Sequence, residues 1–290
     1  MSGKHASAKI TAQEISRRLG CSSVATGPER LGARKLALMR EAGIRYMEIS
    51  EFFSGRTHYN HNDTTQISEI KSECKKQGIT ISSVHGPNIP YDSFEEENRR
   101  AVVEELASAV KVAEDMGARM FVTHFGSTCT IKGHVEKSIN ELMELTRNNS
   151  MKILIENAKW KRLDPYVDYI RRAGTNRLGL AVDIGHAFDP DGVNTFTKKG
   201  RAYEAICQAG QIISHLHLHD IVNNKTDHYP PFEGDMQWVE IFLALWKTGY
   251  SGKFMFEAQP KLSVENTLKK VAGFPCDLIS AYRGRNTNEI

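Results

Sequence analysis

The chain has 290 residues, 40% hydrophobic and 25% charged, with a formal net charge of +3 and an isoelectric point near 8.5. That is the make-up of a globular protein with a large core. The charge is too slight to imply a nucleic-acid partner, and no apolar run is long enough to span a bilayer. The cysteines Cys21, Cys74, Cys129, Cys207 and Cys276 stand far apart with no CxxC pair. They point to free thiols in a reducing compartment. The opening MSGKHASAKI lacks the apolar stretch of a signal peptide, so the expected location is the cytoplasm.

In chain order, residues 1–10 are polar and expected to be loose, and Thr11–Arg18 reads as a short helix capped by Thr11. Leu19–Val24 reads as a strand, and a helix is expected from Pro28 to about Ala42 with Gly43 at its stop. The alternation then becomes regular. Strands are expected at Arg45–Ser50, Ile79–His85, Arg119–His124, Lys152–Asn157, Leu178–Asp183, Gln211–His217 and Lys253–Glu257. Helices are expected between them at Asp63–Gln77, Phe94–Met116, His134–Asn148, Asp164–Ala173, Lys199–Ala209 and Met236–Thr248. Val102, Val103, Leu106, Ala109, Val110 and Ala113 show the three-to-four spacing of a helix with one buried face. The tail from Ser263 to about Tyr282 reads as helical, interrupted at Gly273 and Pro275.

Eight strands alternating with helices require a parallel sheet. With no linker, no composition break and no phosphate-binding glycine loop, a closed (β/α)8 barrel forming one domain over residues 1–290 is expected. Such barrels carry their active sites at the C-terminal ends of the strands. Here those ends bear Glu48, His85, His124, Glu156, Asp183, His217 and Glu257. Glu48 is the weakest of them, lying before the end of its strand. A lone histidine or aspartate at such a place is usually structural, but seven converging groups are not. Buried carboxylates need a cation or hydrogen bonds to offset their desolvation. Glu156, Asp183, His217 and Glu257 would supply three carboxylates and one imidazole, a hard donor set suited to one divalent metal, Mn²⁺ first, with Mg²⁺, Co²⁺ or Zn²⁺ as alternatives. Period-two alternation puts His215, His217 and His219 on one face. His217 is the expected ligand, His215 lies one layer deeper, and His219 and Asp220 belong to the rim.

The ordered motifs SVHGP (83–87), VTHFGS (122–127), LIEN (154–157), VDIGH (182–186), HLHLHD (215–220), DHYPPFEGD (227–235) and MFEAQ (255–259) resemble the xylose isomerase-like barrels. That group includes sugar and sugar-phosphate isomerases and epimerases, such as the tagatose 3-epimerase and hydroxypyruvate isomerase types, and apurinic endonucleases of the endonuclease IV type. In the epimerase branch, the resemblance implies one metal on Glu156, Asp183, His217 and Glu257. It also implies the two glutamates as acid and base through a metal-stabilised enediolate, and His186 against substrate. In the endonuclease branch it implies three zinc ions, drawing also on His85, His124, His186 and His228. There the chain departs, because Thr226 stands where that branch has an aspartate and the GEG after the histidine reads Phe232–Glu233–Gly234. The expected partner is therefore a small sugar or sugar phosphate, not a nucleic acid or a membrane. A keto-inositol dehydratase-like lyase is a further alternative.

Substrate choice belongs to the loops after the strands. Lys159, Trp160, Lys161 and Arg162 after the fifth strand, and Lys198, Lys199 and Arg201 after the sixth, are candidates for a substrate anion. Trp160 is a candidate for stacking on a sugar ring. The loop at 51–65, with Phe52, Phe53, His58 and Tyr59, reads as a lid, a contact in a homo-oligomer, or a plain solvated loop.

Overall fold

A computed structural model describes residues 11–53, 56–87, 89, 95–124 and 133–286. The N-terminal segment 1–10, the Phe94 helix start, Phe125–Ser127 of one motif and Cys129 lie outside the described residues.

Eight parallel strands close into a barrel. They are β1 (Leu19–Ser22), β2 (Tyr46–Ser50), β3 (Thr80–His85), β4 (Met120–His124), β5 (Lys152–Glu156), β6 (Leu178–Asp183), β7 (Ile213–Leu218) and β8 (Phe254–Phe256). Each pairs with its chain neighbours, and β1 pairs with β8 to shut the ring. The helices are α1 (Ala12–Arg18), α2 (Ala33–Glu41), α3 (Thr64–Gln77), α4 (Glu96–Asp115), α5 (His134–Leu145), α6 (Asp164–Ala173), α7 (Arg201–Ala209), α8 (Trp238–Lys247) and α9 (Val264–Asn286). The chain is a single (β/α)8 barrel, as the alternation predicts. Among the described residues, no helix is long and apolar enough to cross a membrane.

Local chemistry sets most boundaries. Thr11 caps α1 by accepting from the Glu14 amide, and Asp63 caps α3 by accepting from the Gln66 amide. Gly78 closes α3 in the left-handed conformation at φ +66°. The helix expected from Pro28 starts only at Ala33. The intervening backbone is engaged elsewhere: the Leu31 amide donates to the His58 carbonyl, and the Gln66 side chain donates to the Leu31 carbonyl. The expected break in the last helix is absent. Pro275 sits inside a continuous α9, which is docked through Leu268, Val271, Phe274 and Leu278. Phe274 packs 4.7 Å from Phe256 and 5.1 Å from both Trp238 and Phe242, ring to ring. This burial offsets the hydrogen bond that proline cannot make.

The main core lies between the barrel and its helices and takes the outward side chains of the strands, such as Ile153, Ile155, Leu180, Val182, Leu216 and Leu218. A separate small cluster, Val122, Leu154 and Ala181, backed by Met120, belongs to the opposite face of β4, β5 and β6. Two short antiparallel hairpins escaped the sequence reading: Phe52–Phe53 with Arg56–Thr57, and Asp220–Val222 with Thr226–Tyr229. The second projects from the end of β7, over the rim where the polar strand ends meet.

Candidate metal centre

Glu156 and Asp183 are the last residues of β5 and β6, His217 is the penultimate residue of β7, and Glu257 directly follows β8. All four are buried, and one donor atom from each lies within 4.8 Å of the others. His217 is central. Its Nδ1 is 3.1 Å from Glu156 Oε1, 3.1 Å from Glu257 Oε2 and 3.9 Å from Asp183 Oδ2. Its Nε2 lies 2.8 Å from Glu48 Oε1. The other Glu48 oxygen accepts from Ser83 Oγ at 2.7 Å and meets His215 Nε2 at 2.8 Å. Glu48 thus points into the barrel below the rim and holds the far side of the His217 ring. His215 sits in that deeper layer, as the alternation predicts.

The Asp183 backbone is bracketed by Asn157, whose amide nitrogen donates to the Asp183 carbonyl while its oxygen accepts from the Asp183 amide, both at 2.9 Å. The Asp183 side chain accepts from the Gly185 and His186 amides at 2.7 and 3.0 Å. It therefore turns the chain at the rim as well as facing the cluster.

The remaining imidazoles close the ring. His85 Nε2 is 3.1 Å and His124 Nε2 3.3 Å from Glu156 Oε2. His186 Nδ1 is 3.4 Å from Asp183 Oδ2 and 3.5 Å from Glu156 Oε1. His228 Nε2 is 3.8 Å from Glu257 Oε2. The seven acids and imidazoles expected at the strand ends, Glu48 among them, are therefore brought together with His186 and His228.

Their charges are interdependent. Burial pushes the Glu156 carboxyl up, but the imidazoles of His124, His217 and His186 hold it well below the usual carboxylate range. Glu257, buried as well, is held low by His217 and His228. Burial alone would lower His217, yet Glu257, Glu48 and Glu156 raise it well above the ordinary histidine value. His85, buried but bonded to Glu156, is raised to about 9, whereas burial dominates at His124 and lowers it to about 4.

The residues fit a divalent cation. Three buried carboxylates face one imidazole nitrogen, an oxygen-rich set of the kind Mn²⁺ or Mg²⁺ takes. His186 Nδ1 is buried, forms no well-made hydrogen bond, and faces Asp183 and Glu156. Glu48, on the other nitrogen of His217, is the outer carboxylate that commonly orients a metal-binding histidine.

Several loop expectations change. Asp220 is not turned to the rim cluster; its carboxylate accepts from the Ile221 and Met236 amides and Trp238 Nε1, tying the hairpin to α8. His58 and Tyr59 are buried rather than offered as a lid surface, and the Tyr59 hydroxyl rests 3.2 Å from Met116 Sδ. The side chains of Phe52 and Phe53 lie outside the described residues. Lys198 pairs with Asp189 and Asp191, Arg201 with Glu204, and Arg162 with Asp164, so these cations are locally neutralised. Lys159 lies closer to the centre: its Nζ is 2.6 Å from Asp227 Oδ2, and that oxygen is 3.9 Å from His186 Nε2. Trp160 is half exposed and packs on Phe188 with ring centroids 4.1 Å apart.

The family model described as the xylose isomerase-like TIM barrel matches residues 36–272. The chain belongs to that family. Among curated relatives, an uncharacterized protein of Methanocaldococcus jannaschii, MJ1311, is 23% identical over 257 residues, covering 83% of this chain and 83% of the relative. The D-psicose 3-epimerase of Ruminiclostridium cellulolyticum is 24% identical over 212 residues, covering 66% of this chain and 68% of the relative. Among solved structures, a D-tagatose 3-epimerase-like protein superposes with a TM-score of 0.72 at 20% identity, covering 91% of this chain and 99% of the other. An L-ribulose 3-epimerase does so at 0.72 and 16%, covering 94% and 98%.

Proposed function

We propose that the protein is a divalent-metal-dependent isomerase that epimerises or isomerises a sugar or sugar phosphate by moving a proton beside a carbonyl. The carrying observation is the buried cluster of Glu156, Asp183, His217 and Glu257 at adjoining strand ends. Its likeness to barrels named as ketose 3-epimerases supports the same reading.

Glu156, Asp183, His217 and Glu257 would hold the cation. When bound, it would polarise the substrate carbonyl and neighbouring hydroxyl and make the adjacent carbon-bound hydrogen acidic. The imidazoles around them hold the Glu156 and Glu257 carboxyls low in the absence of substrate, and each has an oxygen 3.1 Å from His217 Nδ1. One glutamate, as the carboxylate, would take the proton from carbon and become the carboxylic acid; the other would have to enter the step carrying a proton taken up from solvent, give it to carbon and become the carboxylate. Return to the same carbon gives an epimer; return to its neighbour interconverts aldose and ketose. Glu48 keeps the His217 ring turned toward the two glutamates. His186 and His228 would bind substrate hydroxyls. Lys159, paired with Asp227 beside His186, and the half-exposed Trp160 are the candidate contacts for a substrate anion and a sugar ring.

The endonuclease IV-type reading asks for further zinc ions around His186 and His228. Two features weigh against it: Thr226 stands at the aspartate position, and the Lys159 ammonium already neutralises the Asp227 carboxylate facing His186. A lyase of the keto-inositol dehydratase kind would begin with the same proton removal and differ in its product. The deciding measurement is metal content, with hydrogen–deuterium exchange at the substrate across ketoses, aldoses, inososes and their phosphates. About one Mn²⁺, Mg²⁺ or Co²⁺ per chain with exchange is expected. About three zinc ions with cleavage of abasic duplex DNA would overturn the proposal.

A further inference from the structure

We propose that His219 is a positioning residue whose ring donates from Nε2 to the Asp183 carboxylate and leaves only Asp183 Oδ2 for a cation. This rests on the divalent-metal reading above.

Hydrogen-bond logic fixes the tautomer. The His228 backbone amide points at His219 Nδ1 at 2.9 Å. A backbone N–H can only donate, so Nδ1 presents a lone pair and the ring N–H is assigned to Nε2. That nitrogen lies 3.0 Å from Asp183 Oδ1 and 3.2 Å from Oδ2. Oδ1 already accepts from the Gly185 and His186 amides. With His219, three donors saturate it. Oδ2 is the oxygen turned toward His217 Nδ1 and His186 Nδ1.

The ring cannot turn away from this task. A methyl group on Gly185 would lie 2.0 Å from His219 Cε1, so the ring fills the space that a side chain at 185 would need. On its other side His228 stacks on it, with centroids 4.3 Å apart and planes within 9°. Among the described residues the competing acceptor is the Asp220 carbonyl, 3.2 Å from Nδ1, and a proton on Nδ1 would clash with the His228 amide.

The backbone of His228 has an unusual conformation that this arrangement explains. At φ +57° it occupies the left-handed region, which a non-glycine residue adopts at a cost. Both its backbone groups are engaged: the amide donates to His219, and the carbonyl accepts from the Gln259 amide at 2.8 Å. The strained turn thus delivers one N–H to His219 and locks the ring.

The same logic interprets a second grouping of possible ligands, Asp183, His186, His219 and His228. His219 turns an N–H, not a lone pair, toward Asp183. The grouping therefore supports the first centre and does not form a second one.

The test compares the wild-type protein with His219→Gln and His219→Leu, titrating each metal-stripped protein with Co²⁺ by calorimetry and by the visible absorption of the bound ion. Leucine fills the space without a donor, and its Co²⁺ affinity is expected to fall about 10- to 100-fold, the usual effect of losing an outer partner of a ligand. Glutamine supplies a donor where Nε2 was, and its affinity is expected to return close to wild type. Equal affinity for wild type and leucine, or a glutamine variant as weak as leucine, overturns the proposal. Should the leucine variant fail to fold, nitrogen NMR of histidine-labelled wild-type protein decides. An Nε2–H tautomer at His219 is expected, and a proton on Nδ1 overturns it. A wild-type protein that binds no divalent ion at all is a different outcome: it defeats the metal reading itself and this inference with it.

Discussion

Strands β5 to β8 each place one side chain in the four-residue cluster within one residue of their ends, whereas β2 to β4 contribute Glu48, His85 and His124, which meet the cluster by touching its members. The barrel interior divides in a related way. Beneath the rim, β4, β5 and β6 carry the apolar layer of Val122, Leu154 and Ala181. Strands β2, β3 and β7 carry the polar layer of Glu48, Ser83 and His215. One side packs; the other side orients charge. The same lattice of strands serves both because alternate residues of each strand share a face.

The sharpest way to break this division is to neutralise the carboxylates of the second half. Glu156→Gln and Glu257→Gln are each expected to slow exchange of the substrate carbon-bound hydrogen with solvent deuterium by about 10²- to 10⁴-fold, the usual scale for a lost acid or base. Glu156→Gln should be the more severe, because Glu156 faces His85, His124, His186 and His217, while Glu257 faces His217 and His228. Wild-type exchange in either variant removes that residue from proton transfer.

A second pair of substitutions separates the two interior layers. Leu154→Ala is expected to lose about 2–5 kcal/mol of stability in urea unfolding, the range for deleting a buried leucine. It should leave divalent-metal affinity close to wild type. Glu48→Gln keeps the volume but removes the charge behind His217, and is expected to weaken metal binding about 10- to 100-fold with a smaller effect on unfolding. If Leu154→Ala weakened the metal as much as Glu48→Gln, the two layers would not be functionally distinct.

How far this was legible in the sequence follows from which forces are local. Helix ends closed by glycine or an aspartate cap came out within a residue or two, as at Asp63, Gly78 and the whole of α6. The acids and histidines at strand ends could be found because period-two alternation and a barrel's polarity are rules of backbone geometry. The same rules make Glu48 the weakest of these on sequence grounds, because it lies two residues before the end of β2, and only the closed ring shows that this depth puts it under His217. The late start of α2 depended on Leu31 bonding to the loop of the next unit, and the unbroken α9 on aromatic packing around Phe274. Both are contacts between segments distant in sequence. The role of Asn157, bracketing the backbone of a residue 26 positions away, carries no local signature.

The weakest expected effect tests whether the first half can titrate without disturbing the centre. His61 Nδ1 is 2.7 Å from Glu51 and its Nε2 3.0 Å from Glu105, so it ties the loop after β2 to α4. Burial alone would lower this histidine, but the two carboxylates raise it above its ordinary value. The folded protein therefore holds the proton more tightly than the unfolded chain. The resulting stability is fully present below the ordinary histidine range and is lost as the pH rises through the raised value. Glu105 is 45% exposed, which screens one side of the clamp and keeps the contribution on the order of 1 kcal/mol or less. Urea unfolding across that range should show wild type more stable than His61→Gln at low pH, with the difference shrinking as the pH rises through the raised value, while the metal affinities of the two proteins stay equal at each pH. A metal affinity that differed between wild type and His61→Gln at the same pH would show the two halves to be coupled, and the division of labour between them would have to be abandoned.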